Sequence, residues 1–187
     1  MPDATKLQNP GAVGIIPTDT VYGIVARAVD QTAVERLYTI KSRDTKPGTI
    51  VAASMQQLED LGIKHRYIKA VEQFWPGAVS VVIPTVESDL KYLHQGKMSL
   101  AVRVPGDKKF RDLLETTGPL LTSSANQPDQ PPASTIEEAR AYFGDTIDFY
   151  IDGGDLSGRE PSTVIRIIDD AIEVLRKGAV KIDNAAL

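Results

Sequence analysis

The 187-residue sequence contains no cysteine, so disulfides, thiolate zinc sites, iron–sulfur clusters and a cysteine nucleophile are excluded. Its two histidines, His65 and His94, are too few to complete a closed zinc site, and both read as structural or solvated: His65 at a helix start, His94 in a polar loop between strands. No apolar run nears the ~20 residues that span a bilayer. The opening MPDATKLQNPGA has neither the basic nor the hydrophobic region of a signal peptide, so a soluble, cytoplasmic protein with no membrane partner is expected. Walker A, GxGxxG and GxSxG motifs are missing too, which removes the familiar nucleotide cradles and the hydrolase elbow. Any metal is expected to arrive with a substrate. The net charge of −4 argues against coating nucleic acid by bulk charge, so an anion site must be concentrated locally.

What is present is an ordinary globular composition, 42% hydrophobic and 25% charged, long enough to bury roughly 70% of its extended-chain surface in one domain. Apolar strand-length runs alternate with helix-period segments, the pattern of a layered α/β domain. Strands are expected at 12–16, 49–53, 79–84, 99–104, 119–121 and 147–151, with a hairpin of 163–168 and 171–175 turning at Asp169-Asp170. Helices are expected at 31–43 behind Asp30, after the capping box Ser54-x-x-Gln57, over 65–74, over 107–116, and after a second box, Ser134-x-x-Glu137, up to Gly144.

Polar groups gather at predicted strand ends, where open α/β sheets place ligands. In PTDTVYG (17–23) three small polar side chains follow a buried strand, fitting either a capped turn or a glycine that lets backbone approach a ligand. KSRDTKP (41–47) carries three cations at a helix C-terminus, where the helix dipole alone would welcome them and a polyphosphate would use them. Arg103 lies inside the apolar run SLAVRVP (99–105) and needs an anion, supplied either by an Asp or Glu of the chain or by a substrate. TSSAN (122–126) brings hydroxyls and an amide to a loop, suited to phosphate oxygens or to turn chemistry. Ser162 and Thr163 add hydroxyls at a later strand start. These groups suit catalysis by positioning, with no protein nucleophile.

In this order, PTDTVYGI, KSRDTKP, SLAVRVP, TSSAN and PSTVI resemble the YrdC/TsaC family of threonylcarbamoyl-AMP synthases, over about residues 11–180. The resemblance implies a single-domain α/β fold, a twisted open mixed sheet flanked by helices around a deep, positively lined cavity, without the extra C-terminal domain of longer members. It implies a nucleotidyltransferase that converts L-threonine, bicarbonate and ATP into threonylcarbamoyl-AMP and pyrophosphate, with Mg²⁺ carried by the nucleotide. The product feeds N6-threonylcarbamoyladenosine in ANN-decoding tRNA through a downstream threonylcarbamoyl transferase complex, with weak tRNA contact as a further expectation. Lys41 and Arg43 match the K-x-R element and would be catalytic. With Ser124 and Asn126 of the S-x-N element they would bind the ATP phosphates, joined at the nucleotide by Thr122, Ser162, Thr163 and Arg176. Thr20, Tyr22 and Arg103 would bind threonine, Arg103 at its carboxylate in preference to a neighbouring phosphate. The basic loop is one residue shorter than the family's usual K-x-R-P-x-x-K-P and lacks its first proline. A rival reading is an RNA-binding module using the same basic cavity without adenylation; 6% aromatic residues and no RNP-like string weaken it.

Overall fold

The computed structural model describes residues 2–42, 47–169 and 171–182. Val13–Pro17 (β1) and Tyr22–Arg27 (β2) form a hairpin in register from Val13↔Ala26 to Pro17↔Tyr22. β2 was not foreseen: YGIVAR is buried at five of its six positions, so it lacks the alternation that marks a half-exposed strand. Gln31–Ile40 (α1) begins at Asp30, whose side chain accepts from the Ala33 N–H as expected, and ends at Ile40 with Lys41 as its C-cap. Thr49–Val51 (β3) leads to Met55–Asp60 (α2), capped by the Ser54 hydroxyl accepting from Gln57 N–H.

The expected helix 65–74 is interrupted. His65–Lys69 (α3) gives way to a 3₁₀ turn at Glu72–Phe74 closed by short-range bonds such as Phe74 N–H to Val71 C=O, while the Trp75 indole is held by Val79 C=O at 2.8 Å. Val79–Pro84 (β4), Lys91–His94 (α4), Ser99–Arg103 (β5) and Lys108–Thr117 (α5, capped by Asp107) follow. The next strand, Leu120–Ser124 (β6), runs past the expected 119–121, so the hydroxyls of Thr122, Ser123 and Ser124 lie in the sheet and not in a loop. Ile136–Phe143 (α6) is capped by Thr135 accepting from Glu138 N–H, one residue beyond the anticipated box, because Glu138 also reaches back to Ser134 N–H. Phe149–Tyr150 (β7) and the hairpin Thr163–Ile168 (β8) with Ala171–Arg176 (β9) complete the chain's regular elements.

Among the described residues the nine strands form one mixed sheet, ordered β7-β1-β2-β6-β3-β5-β4-β8-β9. Pairs β1/β7, β3/β5 and β4/β8 are parallel and the others antiparallel. One face carries the larger core, in which Ile24, Ile50, Leu121, Val102, Val81 and Ile165 meet Leu37, Leu58, Ile68 and Phe143 from the helices. Each fully buried aliphatic of this kind stabilises the fold by roughly 1.5–3 kcal/mol. The opposite face is covered only in part, by Phe110, Leu113 and Leu114 of α5 with Leu7, packed on Ile16, Val25, Val51 and Leu120. The uncovered remainder of that face is a hollow. Among the described residues no helix is long and apolar enough to cross a membrane.

Candidate functional site

Sheet register assembles the hollow. Thr122 pairs with Thr49, Thr49 with Ala101, Ala101 with Val82 and Val82 with Arg166, so five strands present one side chain each along a single transverse row. All five line a cavity of about 810 Å³. Strand alternation supplies the rest: Ser99, Ala101 and Arg103 face the cavity while Leu100 and Val102 enter the core, which is why an arginine tolerates a place in SLAVRVP. Four lining residues, Lys97, Arg103, Arg166 and Arg176, are cationic, and none of the described lining residues is acidic.

Arg103 is paired within the chain. Its Nη1 donates to both Asp19 oxygens at 2.7 and 2.6 Å, with side chains 3% and 6% exposed. The open alternative therefore resolves toward an internal partner for Nη1, but Nε is buried with no hydrogen-bond partner and the residue still borders the cavity. Asp19 is delivered by a tight turn in which the Thr18 hydroxyl donates to Val21 C=O at 2.6 Å and accepts from Thr20 N–H at 3.2 Å, with the Thr20 hydroxyl 3.1 Å away. Thr20 lines the cavity.

Tyr22 lines it as well, but its hydroxyl is engaged behind the site. It donates to Gly154 C=O at 2.8 Å and accepts from Gly153 N–H at 2.7 Å, fixing the 152–154 loop. Burial pushes its phenol pKa up, with the Asp152 charge adding to the rise and the Gly153 N–H opposing it. Gly23 is explained by packing, not by an unusual backbone: a Cβ there would stand 2.8 Å from Thr122 Oγ1 and 3.1 Å from Thr18 Cγ2. The glycine makes room for a hydroxyl that faces the hollow.

On the far side, Ser162 and Val164 line the cavity. Thr163, one residue out of phase, does not. Its hydroxyl donates to Val180 C=O at 2.6 Å and accepts from Val180 N–H, which ties the start of β8 to the following segment. Ser162 shares a 2.9 Å hydroxyl contact with buried Ser80 and receives Arg176 Nη2 at both its carbonyl (2.7 Å) and its hydroxyl (3.2 Å). A bulge directs that arginine: Val164 pairs with Arg176 and Ile165 with Val174, leaving Leu175 as the extra residue, so Leu175 and Arg176 both reach the cavity.

Lys41, the C-cap of α1, is 3% exposed. Its ammonium donates to Ser124 C=O at 3.0 Å, to Asn126 C=O and to Asn126 Oδ1 at 3.1 Å. Ser124 Oγ donates to the same Oδ1 at 2.6 Å, while Asn126 Nδ2 bonds Gln127 and Gln130 carbonyls. Lys41 of the K-x-R element and the S-x-N element thus meet in one polar network at the end of β6. Ser124 and Thr122 line the cavity and Asn126 and Lys41 sit behind them. Arg43 lies outside the described residues, as does Lys46.

Seven of the eleven expected site residues therefore border one hollow: Thr20, Tyr22, Arg103, Thr122, Ser124, Ser162 and Arg176. Sequence reasoning missed Asp19 as the partner of Arg103, Ser80 beneath Ser162, and Lys97 and Arg166 on the wall. The alternation that places Arg103 on the cavity face ends at Ser99, where β5 begins, and the left-handed residues Gly96 and Met98 on either side of Lys97 left no periodic signal for it.

The chain matches, over residues 6–178, the Sua5/YciO/YrdC family described as "Telomere recombination". The chain belongs to this family. Among its relatives is the threonylcarbamoyl-AMP synthase of Marinobacter nauticus, 35% identical over 163 residues, with 84% of this chain and 86% of the relative covered. A Mycobacterium tuberculosis protein whose assignment to the same activity is provisional is 34% identical over 182 residues, covering 94% of this chain and 82% of the relative. The structure of Pyrococcus abyssi Sua5 complexed with L-threonine superposes with a TM-score of 0.81 at 31% identity, covering 94% of this chain and 53% of that one. This chain therefore spans about half the length of the Pyrococcus protein.

Proposed function

We propose that this protein is an L-threonylcarbamoyladenylate synthase, using the cavity to join ATP, L-threonine and bicarbonate into threonylcarbamoyl-AMP and pyrophosphate for N6-threonylcarbamoyladenosine synthesis on ANN-decoding tRNA. The observation that carries this reading is the meeting of seven expected residues from separate stretches of chain around one hollow with four cations and no acidic wall residue. The relatives named for this activity support it, as does the Pyrococcus protein complexed with L-threonine.

In this reading the amine of threonine adds to bicarbonate, releasing water and giving a carbamate. A carbamate oxygen attacks the α-phosphorus of ATP, and the bond to the β-phosphate oxygen breaks to release pyrophosphate. The chain needs no nucleophile; it holds both reactants and offsets phosphate charge. Ser124 and Thr122 offer hydroxyls to phosphate oxygens, kept in place by Gly23 and by the Lys41 network. Ser162 and Arg176 take the nucleotide from the opposite wall. Arg103, oriented by Asp19, turns its remaining donors to the threonine carboxylate, beside Thr20 and Tyr22. Among the described residues no group of three or more His, Asp or Glu could hold a metal ion by itself. Hydroxyl oxygens and phosphate oxygens are donors that Mg²⁺ accepts, so the ion fits here as part of the nucleotide. Handover to a downstream threonylcarbamoyl transferase completes the proposal.

The test is pyrophosphate release from purified protein with ATP, Mg²⁺ and labelled bicarbonate, with the adduct identified by mass spectrometry. Release is expected only when L-threonine is present; equal turnover without it overturns the reading. Lys41→Ala and Arg43→Ala are each expected to lower turnover about 100-fold. Lys41→Ala is also expected to cost about 1–3 kcal/mol of stability, because it leaves buried acceptors unsatisfied.

A further inference from the structure

His94 is 4% exposed and has no part in the proposed chemistry. Its Nδ1 lies 3.1 Å from Gly96 N and 3.3 Å from Met98 N. Backbone N–H groups only donate, so Nδ1 presents its lone pair and the ring proton sits on Nε2. The turn gathered on that nitrogen is conformationally expensive: Gln95, Gly96 and Met98 all adopt left-handed backbone, at φ 48°, 79° and 53°, and two of the three are not glycine. Lys97 N–H to His94 C=O at 2.9 Å and Thr85 N–H to Met98 C=O at 2.9 Å fasten it further. A bonded left-handed turn of this kind is a device for aiming one side chain. The side chain between Gly96 and Met98 is Lys97, which lines the cavity and makes no ion pair among the described residues.

The position of Lys97 defines what it can bind. Thr122 and Ala101 both pair with Thr49, β3 running antiparallel to β6 and parallel to β5. Two residues further toward the same edge lie Ser124 on one strand and Ser99 on the other, about 10 Å apart across β3. Lys97 lies just beyond Ser99 at that edge, and Arg103 stands at the opposite end of β5, about 13 Å from Ser99. We propose that Lys97 binds the β- and γ-phosphates of the nucleotide, the part that leaves as pyrophosphate, and that His94 is a positioning residue holding Lys97 over them. This rests on the synthase reading for the identity of the polyphosphate, but the anion site itself can be tested without turnover.

The full chain is titrated with inorganic pyrophosphate and with L-threonine by calorimetry, and the KM for ATP is measured in parallel. Lys97→Ala is expected to weaken pyrophosphate binding and raise the ATP KM about 10- to 100-fold, the size of one hydrogen bond to a charged group, with threonine affinity unchanged. His94→Ala should reproduce most of that loss but add little in the Lys97→Ala background, and His94→Asn, whose Oδ1 can replace Nδ1 as acceptor, should restore it. Unchanged pyrophosphate and ATP affinity in Lys97→Ala overturns the site. Full additivity of His94→Ala with Lys97→Ala overturns the positioning role. A wild-type protein that binds pyrophosphate through Lys97 but forms none in response to threonine supports the anion site while defeating the synthase reading.

Discussion

Two arginine–aspartate pairs occupy very different settings. Arg103–Asp19 joins β5 to the turn after β1, with side chains 3% and 6% exposed; Arg36–Asp148 joins α1 to the approach to β7, with side chains 37% and 42% exposed. Both have short contacts, 2.6 and 2.5 Å, so distance does not separate them. Dielectric surroundings do. Near water the charges are already well solvated and the pair adds about 0–1 kcal/mol. Beneath the cavity neither ion can recover its hydration, so each is tolerable only while the other is present. The buried pair therefore fixes a geometry, the Asp19 turn against β5, more than it adds stability.

The largest expected effect follows from removing one buried partner. Asp19→Ala should cost about 3–5 kcal/mol in urea unfolding, because it strands a guanidinium 3% exposed. Replacing both residues by apolar ones of similar volume, Asp19→Leu with Arg103→Met, should recover most of that loss; a double variant as unstable as the sum of the singles would show that the pair stabilises outright. Arg103→Lys should be milder in stability but should raise the threonine KM with little change in that for ATP, because a point charge lacks the fork that serves Asp19 and a second carboxylate together. An unaltered threonine KM would leave Arg103 a purely structural cation.

Gly23→Ala probes the same turn through packing. Its Cβ would crowd Thr122 Oγ1 and Thr18 Cγ2, and a loss of about 1–3 kcal/mol is expected, largely relieved by adding Thr122→Ala. The smallest effect belongs to the exposed pair. Burial pushes the Asp148 carboxyl up, but bonds from Arg36 and the Val13 N–H outweigh it and hold its pKa below the ordinary value. Its contribution is thus present at neutral pH and is lost as pH falls through that lowered value. Asp148→Asn should cost no more than about 1 kcal/mol at neutral pH and should slightly flatten the acid limb of a stability–pH curve; a loss as large as that of Asp19→Ala would erase the contrast.

Much of the fold was legible where one face of an element is wet and the other dry. The cap at Asp30, the Ser54 cap and the alternation of SLAVRVP are local rules acting on neighbouring residues, and they gave α1, α2 and β5. Legibility failed where the environment was uniform or the contact distant. YGIVAR is buried on both faces and so carried no period, hiding β2. The break in 65–74 falls between Lys69, which ends α3, and the 3₁₀ turn at Glu72–Phe74, where no Gly or Pro marks it in the sequence. Thr163 was grouped with Ser162 by composition, although strand alternation sends the two to opposite faces.

By itself the sequence determined which residues could carry phosphate and carboxylate chemistry, that they cluster near the ends of strands or helices, and which family they resemble, because these follow from side-chain type and spacing along the backbone. Only the tertiary structure decided that Asp19 meets Arg103 across 84 positions, that Lys41 turns inward to the carbonyls of Ser124 and Asn126, and that Lys97 joins the cavity wall. The reason is that strand order and register, set by how a whole core packs, fix which distant side chains share a low-dielectric space. No local pattern records that choice.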